Sequence, residues 1–492
     1  MTMELDGFPI RIRRDEVDGV RVFWSEAPPP FSATLAFGVG RADETLVSGG
    51  VTHLVEHLAM PAHARHPFEL NARVDALRTL FWAHGEREEV AGFLSGVASA
   101  LSDLPLERLE AERRILRAES AGERFSAYTA LLATRFGAGG MGLLDYEEYG
   151  LWKLGPEDVA AWARGRFTAE SAVLWLTGPP DGLELELPRG EPARPFVPRP
   201  VGHTLPGFVA SPPGGVALSA LLPRTAAVRA MSEILRDRLH HSLRYGSGIS
   251  YGSLLEYDRL NADEVHVYVG GDVLAGHEEE ARDRTLETVT ALAADGGSDE
   301  EVERVREAAR RAAVDASEPR AWLDTVAEQV LLGSRPQSPA ELLPEVEEVD
   351  ALAVAHAAGN LAETAIVGLP AELELPRDRF HALSQWVDEP LPGRRFLPRR
   401  RGALRRRPPL SLVVGPDGVS LDDGSGVGTI RVADAAGLVR WRPPLRTIHR
   451  RDGRSLTIED GAFWRRGDEA VAAVDAAFPP ELVVDVDRDP RG

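Results

Sequence analysis

Apolar residues follow two different periods along this chain, and the period changes from segment to segment. Near the N-terminus the runs VRVFW and ATLAFGVG are typical of strands, and the turn-forming APPP separates them. Helical spacing appears around residues 50–60 and again through residues 87–135, with an interruption near Pro105. A short helix, PEDVAAWARGRF, and an apolar strand, AVLWLTG, are then predicted.

The second part, about residues 201–388, repeats this order loosely. A strand (GVALSALL), a helix (TAAVRAMSEILRDRLHHSLRYG), two strands (ISYGSLLEY and EVHVYVGG), two more helices and an apolar strand (TAIVGLP) follow one another. The similar order and size of the elements predict an internal structural repeat, although no residue identity between the halves is visible. Between them, the proline- and glycine-rich run 181–214 is predicted to be a linker or long connection.

The last part of the chain has a different pattern. Residues 390–409 contain eight arginines between Arg394 and Arg407, and short strands separated by turns follow, with one helix, GDEAVAAVDAAF. This pattern predicts a small β-barrel or sandwich with a helix against it. The predicted fold class is therefore α/β (α+β), with domains at 1–196 and 197–388, an Arg/Pro-rich linker at 389–409 and a small β-rich domain at 410–492.

Composition narrows the classes of function. A chain of 492 residues exceeds one hydrophobic core, so several domains are expected. Lys+Arg of 56 against Asp+Glu of 77 gives a net charge of −21, which disfavours binding to nucleic acid and to anionic membranes. In this acidic context the arginine run is interpreted as a solvated hinge. No cysteine, signal-peptide pattern or long apolar run is visible, so we expect a cytoplasmic protein without a membrane span.

The segment GGVTHLVEHLAM contains the pattern H-x-x-E-H. On a helix His53 and His57 are four residues apart and share a face, and Glu56 lies close to that face. Two imidazoles and a third ligand leave a tetrahedral Zn²⁺ with one open position, and Glu56 would accept the proton of the attacking water. The alternative is an amphipathic helix with a solvated polar face.

The segment LEAERRILRAES offers the third ligand. Glu112 and Glu119 are two helical turns apart and lie on one face, so one carboxylate could bind the metal while the other orients a histidine ring. Spacing alone does not decide which carboxylate does which, and both could be solvated.

Residues 15–385 resemble the pitrilysin/insulinase family of zinc metallopeptidases, the inverzincins. The segment AFGVGRADETLVSGGVTHLVEHLAM looks like the family's approach to H-x-x-E-H, and ERRILRAE looks like its downstream glutamate helix. The resemblance implies one zinc ion per chain, with Glu119 as the third ligand and Glu112 as the partner of a ligand histidine. Residues 410–492 lie outside the resemblance.

The resemblance assigns two further substrate motifs. ELNARVDALRTLFWAHG is similar to the family's edge strand, so Asn71 and Ala72 would pair with an extended peptide by β-augmentation. LRYGSGISYG resembles the Arg…Tyr motif, so Arg244 would bind a substrate carbonyl and Tyr251 would stabilise the oxyanion.

The function that the resemblance implies is zinc-dependent endopeptidase activity on unfolded peptides inside a closed chamber. Water activated by zinc would attack the peptide bond, with Glu56 as general base. Because family members enclose the chamber with four such domains, a two-domain chain is expected to form a homodimer, with a heterodimer as the other possibility. The alternative function is a peptide-binding or scaffold protein of the same fold with weak or no activity.

Overall fold

Strands and helices alternate through residues 3–176 of the computed structural model. The structure describes residues 3–61, 69–120, 126–210, 215–383, 386, 388–399, 410–424, 426–442, 445–459 and 463–488. The first strands are β1 (Met3–Leu5), β2 (Ile12–Val17), β3 (Val20–Trp24), β4 (Phe31–Phe37), β5 (Glu69–Val74), β6 (Thr79–Gly85) and β7 (Ala172–Leu176). The first helices are α1 (Val51–Ala59), α2 (Arg87–Ser102), α3 (Leu109–Ser120), α4 (Ala127–Phe136) and α5 (Pro156–Arg166).

A second set of elements spans residues 207–382. Its strands are β8 (Gly207–Ala210), β9 (Val216–Pro223), β10 (Ser253–Arg259), β11 (Glu264–Gly271), β12 (Ile366–Leu369) and β13 (His381–Ala382). Its helices are α6 (Ala226–His240), α7 (Glu278–Asp295), α8 (Asp299–Val314), α9 (Pro319–Leu331), α10 (Pro339–Glu347) and α11 (Ala351–Thr364).

The two sets form sheets of the same topology. The first sheet has the order β1-β2-β3-β7-β4-β6-β5, and the second has β10-β11-β9-β12-β8-β13. The runs β3-β7-β4-β6-β5 and β8-β12-β9-β11-β10 correspond strand for strand, each with one parallel pair, β3 with β7 and β8 with β12. Periodicity alone predicted this repeat, and the predicted α/β fold class with two homologous domains is confirmed.

Two helices cross the division between the sheets. Helix α9, from the second half of the chain, packs on the first sheet, where Leu323 and Val326 are fully buried against Phe23 and Trp175. Helix α4, from the first half, packs on the second sheet, where Leu131 is buried against Tyr268. Each half therefore covers one face of the other half's sheet. The predicted domains 1–196 and 197–388 were separate units, and this reciprocal packing was not part of the prediction.

The run 181–214 also differs from its prediction as a connection. Its residues 207–210 form strand β8, which pairs in parallel with β12. The strand has only four residues beside proline-rich sequence, too few to show a period.

The third unit, here called the C-terminal module, comprises the described residues between 388 and 488. Its strands are β14 (Arg394–Phe396), β15 (Ser411–Gly415), β16 (Gly418–Asp422), β17 (Val427–Arg431), β18 (Ala435–Trp441), β19 (Arg446–Arg450), β20 (Ser455–Ile458) and β21 (Val483–Val486), with helix α12 (Gly467–Ala477). They form two four-stranded sheets, in agreement with the predicted small β-rich domain.

The predicted linker 389–409 is wrong in part. Strand β14 lies within this run and pairs with β15. Its Phe396 is buried in the core of the module, whereas Arg394 and Arg395 are exposed. Residues 400–409 lie outside the described residues. Across the described part of the chain, no helix combines the length and apolar character that a membrane crossing requires.

Candidate metal centre

Helix α1 carries the H-x-x-E-H pattern and is fixed at both ends. At its start Gly50 has φ +92°, and the carboxylate of Glu44 accepts the backbone N–H groups of Gly50 and Thr52, both at 2.8 Å. At its end the guanidinium of Arg108 donates to the carbonyl oxygens of His57, Leu58 and Met60. These bonds satisfy terminal backbone groups that the helix itself leaves unpaired, so the position of the motif is well defined.

Both histidine rings are oriented by buried carboxylates. His53 Nδ1 lies 3.1 Å from Oε1 of Glu148, and His57 Nδ1 lies 3.2 Å from Oε2 of Glu112. A carboxylate only accepts hydrogen bonds, so each Nδ1 must carry the proton. With the Nδ1 proton held in this way, the Nε2 atom of each ring is the one that faces the site and can act as a ligand.

The Nε2 atoms converge on Glu56 and Glu119. Oε2 of Glu56 lies 3.8 Å from Nε2 of His53 and 3.8 Å from Nε2 of His57. Oε2 of Glu119, at the end of α3, lies 4.0 Å from Nε2 of His57. Glu56 is 6% exposed, whereas the Glu119 side chain is 53% exposed, so Glu119 forms the open side of the site.

The charges in the site shift several pKa values. Burial, partly offset by both histidines, raises the pKa of Glu56. Burial disfavours the charged form of His53, but the hydrogen bond and the charge of Glu148 outweigh it and raise the pKa of this ring. Burial likewise opposes ionisation of Glu112 and Glu148, yet the bonds of Glu112 with Arg108 and His57, and of Glu148 with His53, lower both pKa values.

The donor set fits zinc. One ligand atom each from His53, His57 and Glu119 lies within 4.8 Å of the other two, and this is the one group of three or more such side chains found among the described residues. Two imidazole nitrogens and a carboxylate oxygen are a ligand set that zinc hydrolases use, with one position left open. The carboxylate behind each histidine is the arrangement that orients ligand rings in metal sites.

The structure places the predicted substrate residues in two regions. Asn71 and Ala72 lie on β5, whose only partner strand among the described residues is β6, so its outer edge is free. Arg244 and Tyr251 lie beyond helix α6, where the Arg244 guanidinium donates to the Tyr251 carbonyl oxygen and the Tyr251 side chain is 71% exposed. Within the described residues, neither Arg244 nor Tyr251 forms a hydrogen bond or an ion pair with His53 or His57.

Two residues of the site were not predicted from sequence. Glu148 is 95 residues from His53, and no local spacing connects them. Glu44 is buried, which raises its pKa to about 7, and it caps α1 from six residues before Gly50. An acidic residue shortly before a helix is a general capping signal, and this signal was available for Glu44.

Comparison with solved structures identifies the fold class. A peptidase M16 inactive domain from Pseudomonas fluorescens superposes with a TM-score of 0.61 at 14% identity, over 74% of this chain and 100% of that one. Pitrilysin matches with a TM-score of 0.59 at 14% identity, over 76% of this chain and 47% of that one. The periplasmic protease PqqL from Escherichia coli matches with a TM-score of 0.59 at 14% identity, over 85% and 55%.

The chain thus has the pitrilysin/insulinase-type peptidase fold, as the sequence resemblance predicted. At these identities the likeness establishes the fold alone. No protein-family model and no curated protein sequence matches the chain.

Proposed function

We propose that the protein is a zinc-dependent endopeptidase that hydrolyses unfolded peptides. The observation that carries the proposal is the convergence of His53, His57 and Glu119 around the buried Glu56, with both histidine rings held by carboxylates. A bound zinc ion would supply Lewis acidity, which polarises a carbonyl group and lowers the pKa of water.

Glu56 is the proposed general base. Its carboxylate is buried beside the open side of the site, and burial raises its pKa above the usual range of a glutamate, which makes it a stronger proton acceptor. Oε2 of Glu56 accepts the proton of the attacking water and later delivers it to the leaving amine. Glu148 and Glu112 hold the Nδ1 atoms of His53 and His57, which leaves Nε2 of each ring as the atom available to a metal.

The free edge of β5 is the proposed binding site for the substrate backbone. The strand runs beside helix α1 in the first domain, and its exposure alternates along Glu69–Val74. An extended peptide that pairs with this edge beside Asn71 and Ala72 would form main-chain hydrogen bonds with alternate residues of β5, which would restrict substrates to unfolded peptides.

The proposed assembly is a homodimer whose two halves enclose a chamber. The chain matches 47% of pitrilysin, so two copies would supply a comparable length, and Tyr251 is exposed and therefore accessible to a partner. Arg244 and Tyr251 would then complete the partner's site, with a heterodimer as the other assembly. Mixing His57→Ala protein with Tyr251→Phe protein is expected to restore cleavage; absence of rescue contradicts exchange of these residues between chains.

Metal analysis combined with a peptide-cleavage assay tests the activity. The purified protein is expected to contain one zinc ion per chain, to cleave unfolded peptides, to lose cleavage with a chelator and to regain it with zinc. A folded protein that contains the same cleavable sequence as the test peptide is expected to be a poor substrate. Zinc-loaded protein without cleavage would contradict the proposal and favour the scaffold function; one of the similar structures is described as an inactive peptidase domain.

The proposed location is cytoplasmic, because a chain of 492 residues without cysteine needs no oxidising compartment to form disulfides. Fractionation of cells that produce the protein tests this location.

A further inference from the structure

We propose that the C-terminal module is a positioning element of the metal centre, because it holds the chain segment that presents Glu148 to His53. This inference rests on the proposed zinc site and assigns a role to the part of the chain that the family resemblance does not cover. The segment concerned, residues 143–153, is here called the Glu148 segment.

One side of the Glu148 segment packs against the start of helix α1. The Gly150 N–H donates to the Gly49 carbonyl oxygen at 2.9 Å, and a Cβ at Gly50 would approach the Cβ of Glu148 to 2.8 Å. Glu148 itself is 4% exposed and also accepts a hydrogen bond from the hydroxyl of Ser120. This side has no room for a shift of the segment toward the helix.

The other side of the segment packs on the C-terminal module through apolar and aromatic contacts. The ring of Tyr149 meets Trp441 edge-on at 6.1 Å and lies 5.8 Å from His449. Buried residues of both units form one hydrophobic cluster, which consists of Leu46, Ala133, Ala138, Leu143, Tyr146, Tyr149, Val439, Trp441, Leu445, Val484 and Val486. A module that is only tethered to the first domain would leave these side chains in water.

Polar contacts fix the register of this interface. Arg488 forms an ion pair with Glu147, and its guanidinium lies over the ring of Trp441. The ammonium group of Lys153 donates to the carbonyl oxygens of Pro480 and Glu481 at 3.0 and 2.6 Å. The module therefore binds the segment at residues on both sides of Glu148.

Consecutive residues of the segment thus contact the C-terminal module and the metal centre in turn. Glu147 and Tyr149 contact the module, and Glu148 between them contacts His53. Glu148 lies between two short 3-10 helices, Gly140–Asp145 and Tyr149–Trp152, and such short helices have too few internal hydrogen bonds to fix the segment alone. A displacement of about 1 Å would take Glu148 beyond hydrogen-bond distance of His53.

Zinc affinity measured by chelator competition tests the proposal. Trp441→Leu removes the ring that meets Tyr149 edge-on, and Arg488→Ala removes the ion pair with Glu147. Each variant is expected to bind zinc about 3- to 10-fold more weakly than the wild type, less than the loss of about 10- to 100-fold that removal of a carboxylate behind a ligand histidine causes. Trp441→Phe is expected to restore the affinity.

Arg440→Ala is the matched control, because Arg440 neighbours Trp441 but pairs with Asp485 inside the module. A double-mutant cycle gives the second readout. In a Glu148→Gln background, Arg488→Ala is expected to cause no further loss of zinc affinity, since both act through one hydrogen bond.

The visible spectrum of the cobalt-substituted protein reports the ligand geometry independently of stability. It is expected to change in Trp441→Leu and to stay constant in Arg440→Ala. Folded variants with wild-type affinity and spectrum would overturn the inference while zinc binding and peptide cleavage by the wild type stand. A wild type that binds no zinc would instead overturn the proposed function.

Discussion

Oε1 of Glu148 lies 3.1 Å from Nδ1 of His53, although 95 residues separate the two along the chain. Glu112 stands in the same relation to His57. The two carboxylates orient the rings of His53 and His57 on helix α1, so that the Nε2 atoms of both rings face the site. This arrangement leads to the first prediction.

Glu148→Gln and Glu112→Gln are each expected to weaken zinc binding about 10- to 100-fold, because the neutral amide orients the ring less firmly and makes its nitrogen less basic. Chelator competition measures the change. Glu110→Gln is the control, since Glu110 is an exposed residue of the same helix as Glu112 that pairs with Arg113. Unchanged affinity in both variants would show that the carboxylates do not support the ligands.

Glu56→Gln is expected to keep zinc and to lower the rate of peptide cleavage by about 10²- to 10⁴-fold, the usual contribution of a general base. Metal analysis and steady-state kinetics on the same preparation check both parts. Glu119→Gln provides the contrast, because it should lose zinc as well as cleavage. Cleavage by Glu56→Gln at the wild-type rate would reject Glu56 as the base.

Zinc is expected to stabilise the folded protein, because the ligands come together only in the native state. At a free zinc concentration 100 times the dissociation constant, the gain is about 2.7 kcal/mol. Thermal unfolding with and without zinc measures it, and His57→Ala should show little gain. An equal gain in that variant would place the ion elsewhere.

His449 predicts an acid-sensitive stability. Burial lowers its pKa to about 4, and neither ring nitrogen has a hydrogen-bond partner within the described residues. An unfolded histidine has a pKa near 6.5, so between about pH 6.5 and 4 the unfolded chain binds a proton that the folded chain does not. The contribution of this group to the free energy of unfolding is therefore present above pH 6.5. It decreases as the pH is lowered to 4, by about 3 kcal/mol in total.

Chemical denaturation at several pH values tests this prediction. His449→Phe keeps a ring against Tyr146 and Tyr149 and should flatten the dependence between pH 6.5 and 4. His356→Gln, at an exposed position, should leave it unchanged. An undiminished slope in His449→Phe would contradict the assignment.

A buried polar network joins helix α4 to the second sheet. The Ser219 hydroxyl accepts from Arg135 at 3.0 Å and lies 2.8 Å from His266 Nε2, and His266 Nδ1 lies 2.9 Å from Asp258. Ser219→Ala leaves buried polar atoms without a partner and is expected to cost about 1–3 kcal/mol of stability.

Urea unfolding measures this cost, and Ser232→Ala, whose hydroxyl donates only within its own helix, should cost less. Because Ser219 is fully buried, folded Ser219→Ala is expected to cleave peptides as the wild type does. Lost cleavage would assign a catalytic role to this serine.

The sequence alone predicted what depends on short spacings. The repeated order of strands and helices follows from apolar periodicity, and His53, Glu56 and His57 share a face because they belong to one helix. Glu112 and Glu119 are also related by helical spacing, so the sequence identified both. Which carboxylate faces the metal was implied only by the family resemblance.

Tertiary structure decided every relation between residues that are distant along the chain. Only the fold brings Glu148 to His53, packs α9 and α4 on each other's sheets and seats the C-terminal module behind the metal centre. Such contacts depend on the burial of apolar faces from separate elements, and a local period specifies that a face is apolar but not which partner will cover it.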